Sequence, residues 1–132
     1  MELPHLILNW KDADVGLIRS VLGLARNLCA DDNRKNKLVG DGTMQLMVSR
    51  MTEPHCMEDG ALLEHGIACL AAMSLRFPSN AAKIIKTGAI DLVLKAMARH
   101  MARSALVRQG CEAFLPIFCV HQLTLNIFRL AD

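Results

Sequence analysis

Apolar residues along this chain recur three and four apart, and polar or turn-forming residues interrupt them at regular intervals. Between Asp12 and about Cys29, the residues Leu17, Val21, Leu24 or Ala25, and Leu28 fall on one stripe, the spacing of a helix with a single buried face. Asp12-Ala13-Asp14 places carboxylates at the positive end of that helix's dipole and predicts its start. Asp31-Asp32-Asn33 ends it and caps a short helix from Arg34 to about Val39, after which Gly42 turns the chain into a third helix, Thr43 to about Met51. Thr52-Glu53-Pro54-His55 predicts a loop, because Pro54 lacks a helix donor and biases its predecessor toward extended angles. A long helix from about Glu58 to Arg76 carries Leu62, Gly66, Cys69, Leu70 and Met73. Pro78-Ser79-Asn80 then restarts the cycle: a short helix with Ile84 and Ile85, a turn at Gly88, a helix from Ala89 to about Ala98, and a last long helix from near Ala102 with Leu106, Gly110, Ala113 and Phe114.

The order is therefore one long helix followed twice by short, medium and long. The residues repeat with it. Lys37-Leu38-Val39-Gly40-Asp41-Gly42-Thr43-Met44-Gln45-Leu46-Met47-Val48-Ser49-Arg50-Met51 returns as Lys83-Ile84-Ile85-Lys86-Thr87-Gly88-Ala89-Ile90-Asp91-Leu92-Val93-Leu94-Lys95-Ala96-Met97, a period of 46 residues from Gly42 to Gly88. Helical units of roughly 40 to 47 residues build solenoids in which each unit buries its apolar face against its neighbours.

A short first helix, a second opened by a Gly-containing turn, and a long third ending in a phrase such as Ala25-Arg26-Asn27-Leu28 resemble the armadillo-repeat superfamily. Asp31-Asp32-Asn33-Arg34-Lys35-Asn36-Lys37, Glu64-His65-Gly66, Ala72-Met73-Ser74-Leu75-Arg76-Phe77-Pro78 and Lys95-Ala96-Met97-Ala98-Arg99-His100 carry the same likeness, which covers about residues 15–115. The resemblance implies an all-α, right-handed α-solenoid: residues 1–115 as about two and a half repeats, the first incomplete, and residues 116–132 as a divergent apolar tail. At Pro116 the chain departs from the family's pattern. In the tail, Ile117, Val120, Leu123 or Thr124, and Ile127 fit a helix, whereas Leu123, Leu125 and Ile127 alternate as a strand would, so both readings stand. A truncated or alternatively ended product is one expectation, and uncapped solenoid ends would favour self-association.

Composition refines this picture. Apolar residues make up 52% of 132 residues, aromatics only 4%, and Tyr is absent, so Leu, Ile, Val, Ala and Met must fill the interior of one unit. Charge is uneven: residues 1–75 hold seven Lys/Arg against ten Asp/Glu, and residues 76–132 hold eight against three. Five cysteines, Cys29, Cys56, Cys69, Cys111 and Cys119, are odd in number, lack a CxxC spacing and sit mostly in apolar stretches, which predicts free thiols in a reducing compartment. The start of the chain lacks the positive region of a signal peptide, and no stretch has the ~18–20 apolar residues of a membrane span. The expectation is a soluble protein of the cytoplasm, the nucleus or both, with no membrane contact.

The armadillo likeness turns the third helices toward a concave groove. Aligned there, the rows read Arg19/Glu64/Arg108, Ser20/His65/Gln109, Gly23/Ala68/Glu112 and Asn27/Ala72/Pro116. The predicted partner-binding groove is accordingly Arg19, Ser20, Asn27, Glu64, His65, Arg108, Gln109 and Glu112; these polar positions also suit a merely solvated face. Only one row position holds the Asn that grips an extended peptide's main chain in peptide-binding members, and Trp10, the one Trp, lies off the long helices. Recognition of nuclear localisation signals is therefore disfavoured.

Enzyme chemistry finds no purchase: no Gly-rich phosphate loop, GxSxG or HExxH is present, so neither catalytic residues nor a cofactor is expected. His65 and Cys69, four apart on one helix, offer two metal ligands where a site needs about four, and Cys119-Val120-His121 is weaker still; no metal is expected. Gly66 and Gly110 inside helices each cost about 1 kcal/mol relative to Ala, which predicts close helix–helix approach. The function expected is a non-catalytic scaffold that binds a protein or peptide partner. The rival, a basic surface of Arg76, Lys83, Lys86, Lys95, Arg99, Arg103 and Arg108 that holds nucleic acid or phosphates, is less favoured.

The repeated apolar positions Leu38, Val39, Leu46, Leu70, Met73, Ile84, Ile85, Leu92, Val93, Leu106 and Phe114 are expected to form one core. Leu70→Ala should lower the unfolding free energy in urea by ~2–5 kcal/mol, and an unchanged midpoint would remove Leu70 from that core.

Overall fold

Side-chain caps start three of the helices. Asp14 accepts from the Leu17 N–H at 2.7 Å, Asp31 from the Asn33 N–H at 2.8 Å, and Asp59 from the Leu62 N–H at 3.0 Å, each occupying a donor that the first helical turn leaves open. Glycines start two others. Gly42 and Gly88 sit at φ +91° and +83°, a left-handed conformation that side chains disfavour, and both turn a short helix into the next one.

The computed structural model describes the backbone of residues 3–131 and the side chains of residues 3–117 and of Arg129. The chain is all-α, 79% helical, with no strand among the described residues. The helices are α1 (Leu3–Leu8), α2 (Val15–Leu28), α3 (Asp32–Gly40), α4 (Thr43–Met51), α5 (Pro54–Met57), α6 (Gly60–Ser74), α7 (Pro78–Lys86), α8 (Ala89–Arg99) and α9 (Ser104–Ala131). Three differ from the sequence expectation. Residues Pro54–Met57 form a four-residue helix rather than a loop, because Pro54 occupies the first helical position, where no donor is needed. Leu3–Leu8, ahead of the first predicted helix, is helical. The last helix runs on through Pro116, where the family's pattern is lost, and this settles the tail, left open between helix and strand, as helix for residues 116–131. One missing N–H does not end it, since Ile117, 1% exposed, extends the buried stripe of Leu106, Gly110 and Ala113 past the proline.

α6 lies between α2 and α9, and these three long helices form one layer. α4 touches α1 and α8, forming a second layer, while α3 and α7 pack on α6 and α9. One continuous core links the layers. Eight of the eleven expected core residues are buried; Leu46, Ile85 and Phe114 are half-buried and pack against the rest. On α2 the buried stripe is Ile18, Val21, Leu22, Ala25 and Cys29. Leu24 is exposed, and Leu17 and Leu28 sit at the stripe's edge, so the face is rotated by about one residue from the predicted one.

The two helix glycines do permit close approach. A Cβ on Gly66 would lie 2.4 Å from Met51 Sδ, and one on Gly110 would lie 2.4 Å from Met97 Sδ, so the same methionine-into-glycine contact occurs in both units. Polar ties also span the repeat. Asn80 Nδ2 donates to Asn36 Oδ1 at 3.0 Å and to the Met73 carbonyl at 2.9 Å, while His100 Nε2 lies 2.8 Å from the Met57 carbonyl. Arg50 fastens the amino-terminal segment by donating to the carbonyls of Leu8 and Trp10 and pairing with Glu53.

Met51 is fully buried and has nowhere to retreat. Gly66→Ala should therefore destabilise the protein by ~1 kcal/mol, since overpacking of 1–3 kcal/mol outweighs the helix-propensity gain of about 1 kcal/mol. In a Met51→Ala background the same substitution should become neutral or stabilising, and urea unfolding of the four proteins measures that coupling.

Candidate functional site

The layer of α2, α6 and α9 leaves a groove because α6 presents Ala68, Ala71 and Ala72 where longer side chains would fill the space between its neighbours. The result is a cavity of about 630 Å³. Arg26, Cys29 and Ala30 line it from α2, Gln109, Glu112, Leu115 and Pro116 from α9, and Lys35, Leu75 and Arg76 close its end. Leu75 and Leu115 are 54% and 70% exposed, so the rim carries unpartnered apolar surface beside guanidinium groups.

Lys35 is only 2% exposed. Its ammonium is held by the Leu75 carbonyl at 3.4 Å, by Asp32 at 3.3 Å and by the face of Phe77, whose centroid is 4.9 Å away, which together replace the water it loses. Arg76 reaches the same Asp32 carboxylate at 3.1 Å and has a φ of 67°, a strained angle for a side-chain-bearing residue, where the chain leaves α6.

Of the eight predicted groove residues, Gln109 and Glu112 line this cavity. Ala68, Ala72 and Pro116 from the predicted rows do too, so the α6 and α9 members of the two lower rows meet there, whereas Gly23 and Asn27 of α2 do not line it. Asn27 faces a neighbouring recess formed with Leu28, Ala30, Asp31 and Arg34. Arg19 and Glu64 are engaged inside the protein: Arg19 pairs with Asp59 at 2.7 Å and Glu64 with Arg103 at 2.8 Å. Ser20 donates to the Gly16 carbonyl at 3.1 Å, Arg108 is exposed, and His65 packs beside Gly23 with a buried Nδ1 that has no hydrogen-bond partner. Arg26, Cys29, Lys35, Leu75, Arg76 and Leu115 were not anticipated. The one trace of the cavity in the sequence is the run of small residues around Ala68, Ala71 and Ala72.

The predicted basic surface is partly consumed as well. Arg76, Arg99 and Arg103 pair with Asp32, Glu58 and Glu64, so basic residues of the second half neutralise acidic residues of the first. Lys83 and Lys86 do converge, with Gln45, Ser49, Thr52 and Thr87, on a recess of about 500 Å³ between α4 and α7.

Metal-binding donors come together at one place among the described residues. Glu53, His55 and Cys56 offer ligand atoms within 4.8 Å of one another around α5. Arg50 already pairs with Glu53 at 3.2 Å, burial, then Glu53, push the Cys56 thiol up to about 11, and three donors are one short of the about four that a closed site uses. Cys69, weighed with His65 as two possible ligands, has its Sγ 3.5 Å from the Sγ of Cys29 at the end of α2. The side chains of Cys119 and His121 lie outside the described residues.

No family model matches the chain, and no curated protein or solved structure matches it. No helix among the described residues is long and apolar enough to cross a membrane.

Asp59 carries both a helix cap and the Arg19 pair. Burial alone would raise its carboxyl, but the Leu62 N–H, the Arg19 guanidinium and the Ala61 N–H outweigh it and hold the group below its ordinary 3.8. A carboxyl depressed by folding contributes stability fully above the unfolded value, about pH 3.8, and loses it as the pH falls through the lower folded value. Asp59→Ala should cost ~0.5–2 kcal/mol at neutral pH, and the gap from the unsubstituted protein should shrink in acid, measured by urea unfolding across that range.

Proposed function

We propose that this chain is a right-handed α-solenoid of the armadillo type and acts as a non-catalytic scaffold in the cytoplasm or nucleus. It binds an extended segment of a protein partner along the concave layer of α2, α6 and α9. The observation that carries this reading is the cavity floored by Ala68, Ala71 and Ala72, with Leu75 and Leu115 exposed at its edge and Arg26, Lys35 and Arg76 around it. A recess of that size admits one or two apolar side chains, and Arg26, Lys35 and Arg76 against the carboxylates of Glu112 and of Asp32, which Lys35 and Arg76 share, leave an excess of one positive charge that favours an acidic flank. The occupant is thus a segment with an apolar anchor beside Asp or Glu. The 46-residue recurrence of sequence, glycine turn and methionine–glycine contact supports the solenoid.

A second reading has its own observation. Lys83, Lys86 and the hydroxyls of Ser49, Thr52 and Thr87 surround one recess, which suits a phosphate group. The pairing of Arg76, Arg99 and Arg103 with carboxylates weighs against an extended nucleic-acid track.

Fluorescence anisotropy with a library of extended peptides bearing Leu beside Asp or Glu, and with a single-stranded oligonucleotide, separates the two. Ala72→Glu should weaken the best peptide by about tenfold or more, roughly 1.4 kcal/mol, with a shallow dependence on salt. Equal loss from Lys83→Ala with Lys86→Ala, together with a steep fall of log affinity with log salt, would transfer the binding surface to the α4–α7 recess.

A further inference from the structure

Two cysteines forty residues apart meet on the wall of the groove. Cys29 at the end of α2 and Cys69 on α6 have sulfurs 3.5 Å apart, and both are buried. Cys29 also lines the cavity that opens to solvent, whereas Cys69 lies behind it. A disulfide requires the sulfurs to approach to about 2.05 Å, so a shift of about 1.5 Å separates the present geometry from a bond. The buried ammonium of Lys35 lines the same cavity.

We propose that Cys29 and Cys69 form a redox-active dithiol whose substrate is a small hydroperoxide admitted through the groove, Cys29 serving as the attacking sulfur and Cys69 as the resolving one. The asymmetry of the two sites assigns the roles. A hydrogen bond shared with Cys69, then the charge of Lys35, outweigh burial and lower the Cys29 thiol from its ordinary range. The same contact, then burial, raise Cys69 well above it. Cys29 is the sulfur that lines the cavity where a peroxide would enter, and Cys69, fully buried beside it, is placed to meet an oxidised Cys29.

In the first step the Cys29 thiolate attacks one peroxide oxygen. A sulfur–oxygen bond forms, the oxygen–oxygen bond breaks, and the other oxygen leaves as an alkoxide or hydroxide that takes a proton from solvent. Cys29 is oxidised to the sulfenic acid and the hydroperoxide is reduced to an alcohol or water. That oxidation removes the negative charge that held the proton on Cys69. Cys69 then attacks the Cys29 sulfur, the sulfur–sulfur bond forms, and hydroxide departs with the Cys69 proton as water. The products are one disulfide joining α2 to α6, one alcohol or water from the peroxide, and one further water.

The other described thiols lack this arrangement. Cys56 is buried and its thiol is pushed up to about 11, while Cys111 is exposed and has no described thiol beside it. Whatever occupies the groove, the chemistry at these two sulfurs is testable on the reduced full chain. Hydrogen peroxide is added at a near-stoichiometric level, free thiols are then alkylated, and the protein is digested with trypsin. The expected product has lost two hydrogen atoms and links peptide 27–34, which holds Cys29, to peptide 51–76 through Cys69 rather than Cys56, as fragmentation shows. In Cys69→Ser, a sulfenic acid trapped by dimedone should accumulate on Cys29. Cys29→Ser should leave Cys69 at least about tenfold slower to oxidise. Two results would overturn the proposal: Cys29 and Cys69 both remaining alkylatable after Cys111 has been oxidised, or a bond formed through Cys56 instead. The unsubstituted protein alone decides between these outcomes, so poor folding of either variant leaves the test intact.

Discussion

Everything in this molecule depends on α6 being buried between α2 and α9. Its buried residues, Leu62, Leu63, Gly66, Ile67, Ala68, Cys69, Leu70, Met73 and Ser74, occupy most of the helix circumference, which is possible only if it has neighbours on several sides. Such a helix has no stable existence on its own, and neither unit has a complete core without the other. Small residues let the backbones approach: Gly66 and Gly110 accept the ends of Met51 and Met97 from the second layer. The same economy of volume on the opposite side, at Ala68, Ala71 and Ala72, leaves the groove open. Tight packing on one face of α6 and an unfilled cavity on the other thus share one cause.

Electrostatics joins the units that packing brings together. The acidic first half and basic second half meet in the pairs Arg76–Asp32, Arg99–Glu58 and Arg103–Glu64. Exposed pairs of this kind are each worth at most about 1 kcal/mol, so they set register more than stability. Buried Lys35 is different in kind. Removing Asp32, which serves both Lys35 and Arg76, would leave a desolvated ammonium with only the Leu75 carbonyl and the Phe77 ring. Lys35 also lines the cavity wall, where, after the Cys69 hydrogen bond, its charge helps to lower the neighbouring Cys29 thiol.

On the readings proposed above, the groove would combine a docking rim with a redox-active wall. Leu75, Leu115, Arg26 and Arg76 are arranged at its edge as a docking surface would be, and two thiols in contact lie beneath them. A disulfide between α2 and α6 would clamp the two helices that form one side of the groove, so occupation of the site and oxidation of its floor would act on the same pair of helices.

Helix order, turn positions and most of the core were legible in the sequence because they obey local rules. Apolar residues three and four apart define a face, Asp14 and Asp31 occupy donors one turn away, and Gly42 and Gly88 supply angles that few other residues adopt. The 46-residue recurrence exposed the repeat, and with it the reason for Gly66 and Gly110. What could not be read depends on contacts between residues some forty positions apart. Lys35 appears polar in sequence, yet Leu75, Phe77 and Asp32 bury it; Arg19 and Glu64 appear free, yet Asp59 and Arg103 take them. The tail beyond Pro116 reads equally as helix or strand until the last helix is seen to run through it, with Ile117 inside the core. Cys29 and Cys69 read as separate core thiols, and only the packing of α2 on α6 makes them a pair. Periodicity specifies which face of each helix is apolar, but the rotation and depth at which two faces meet are set by side-chain volumes on both partners, a property of the packed interface that neither segment carries alone.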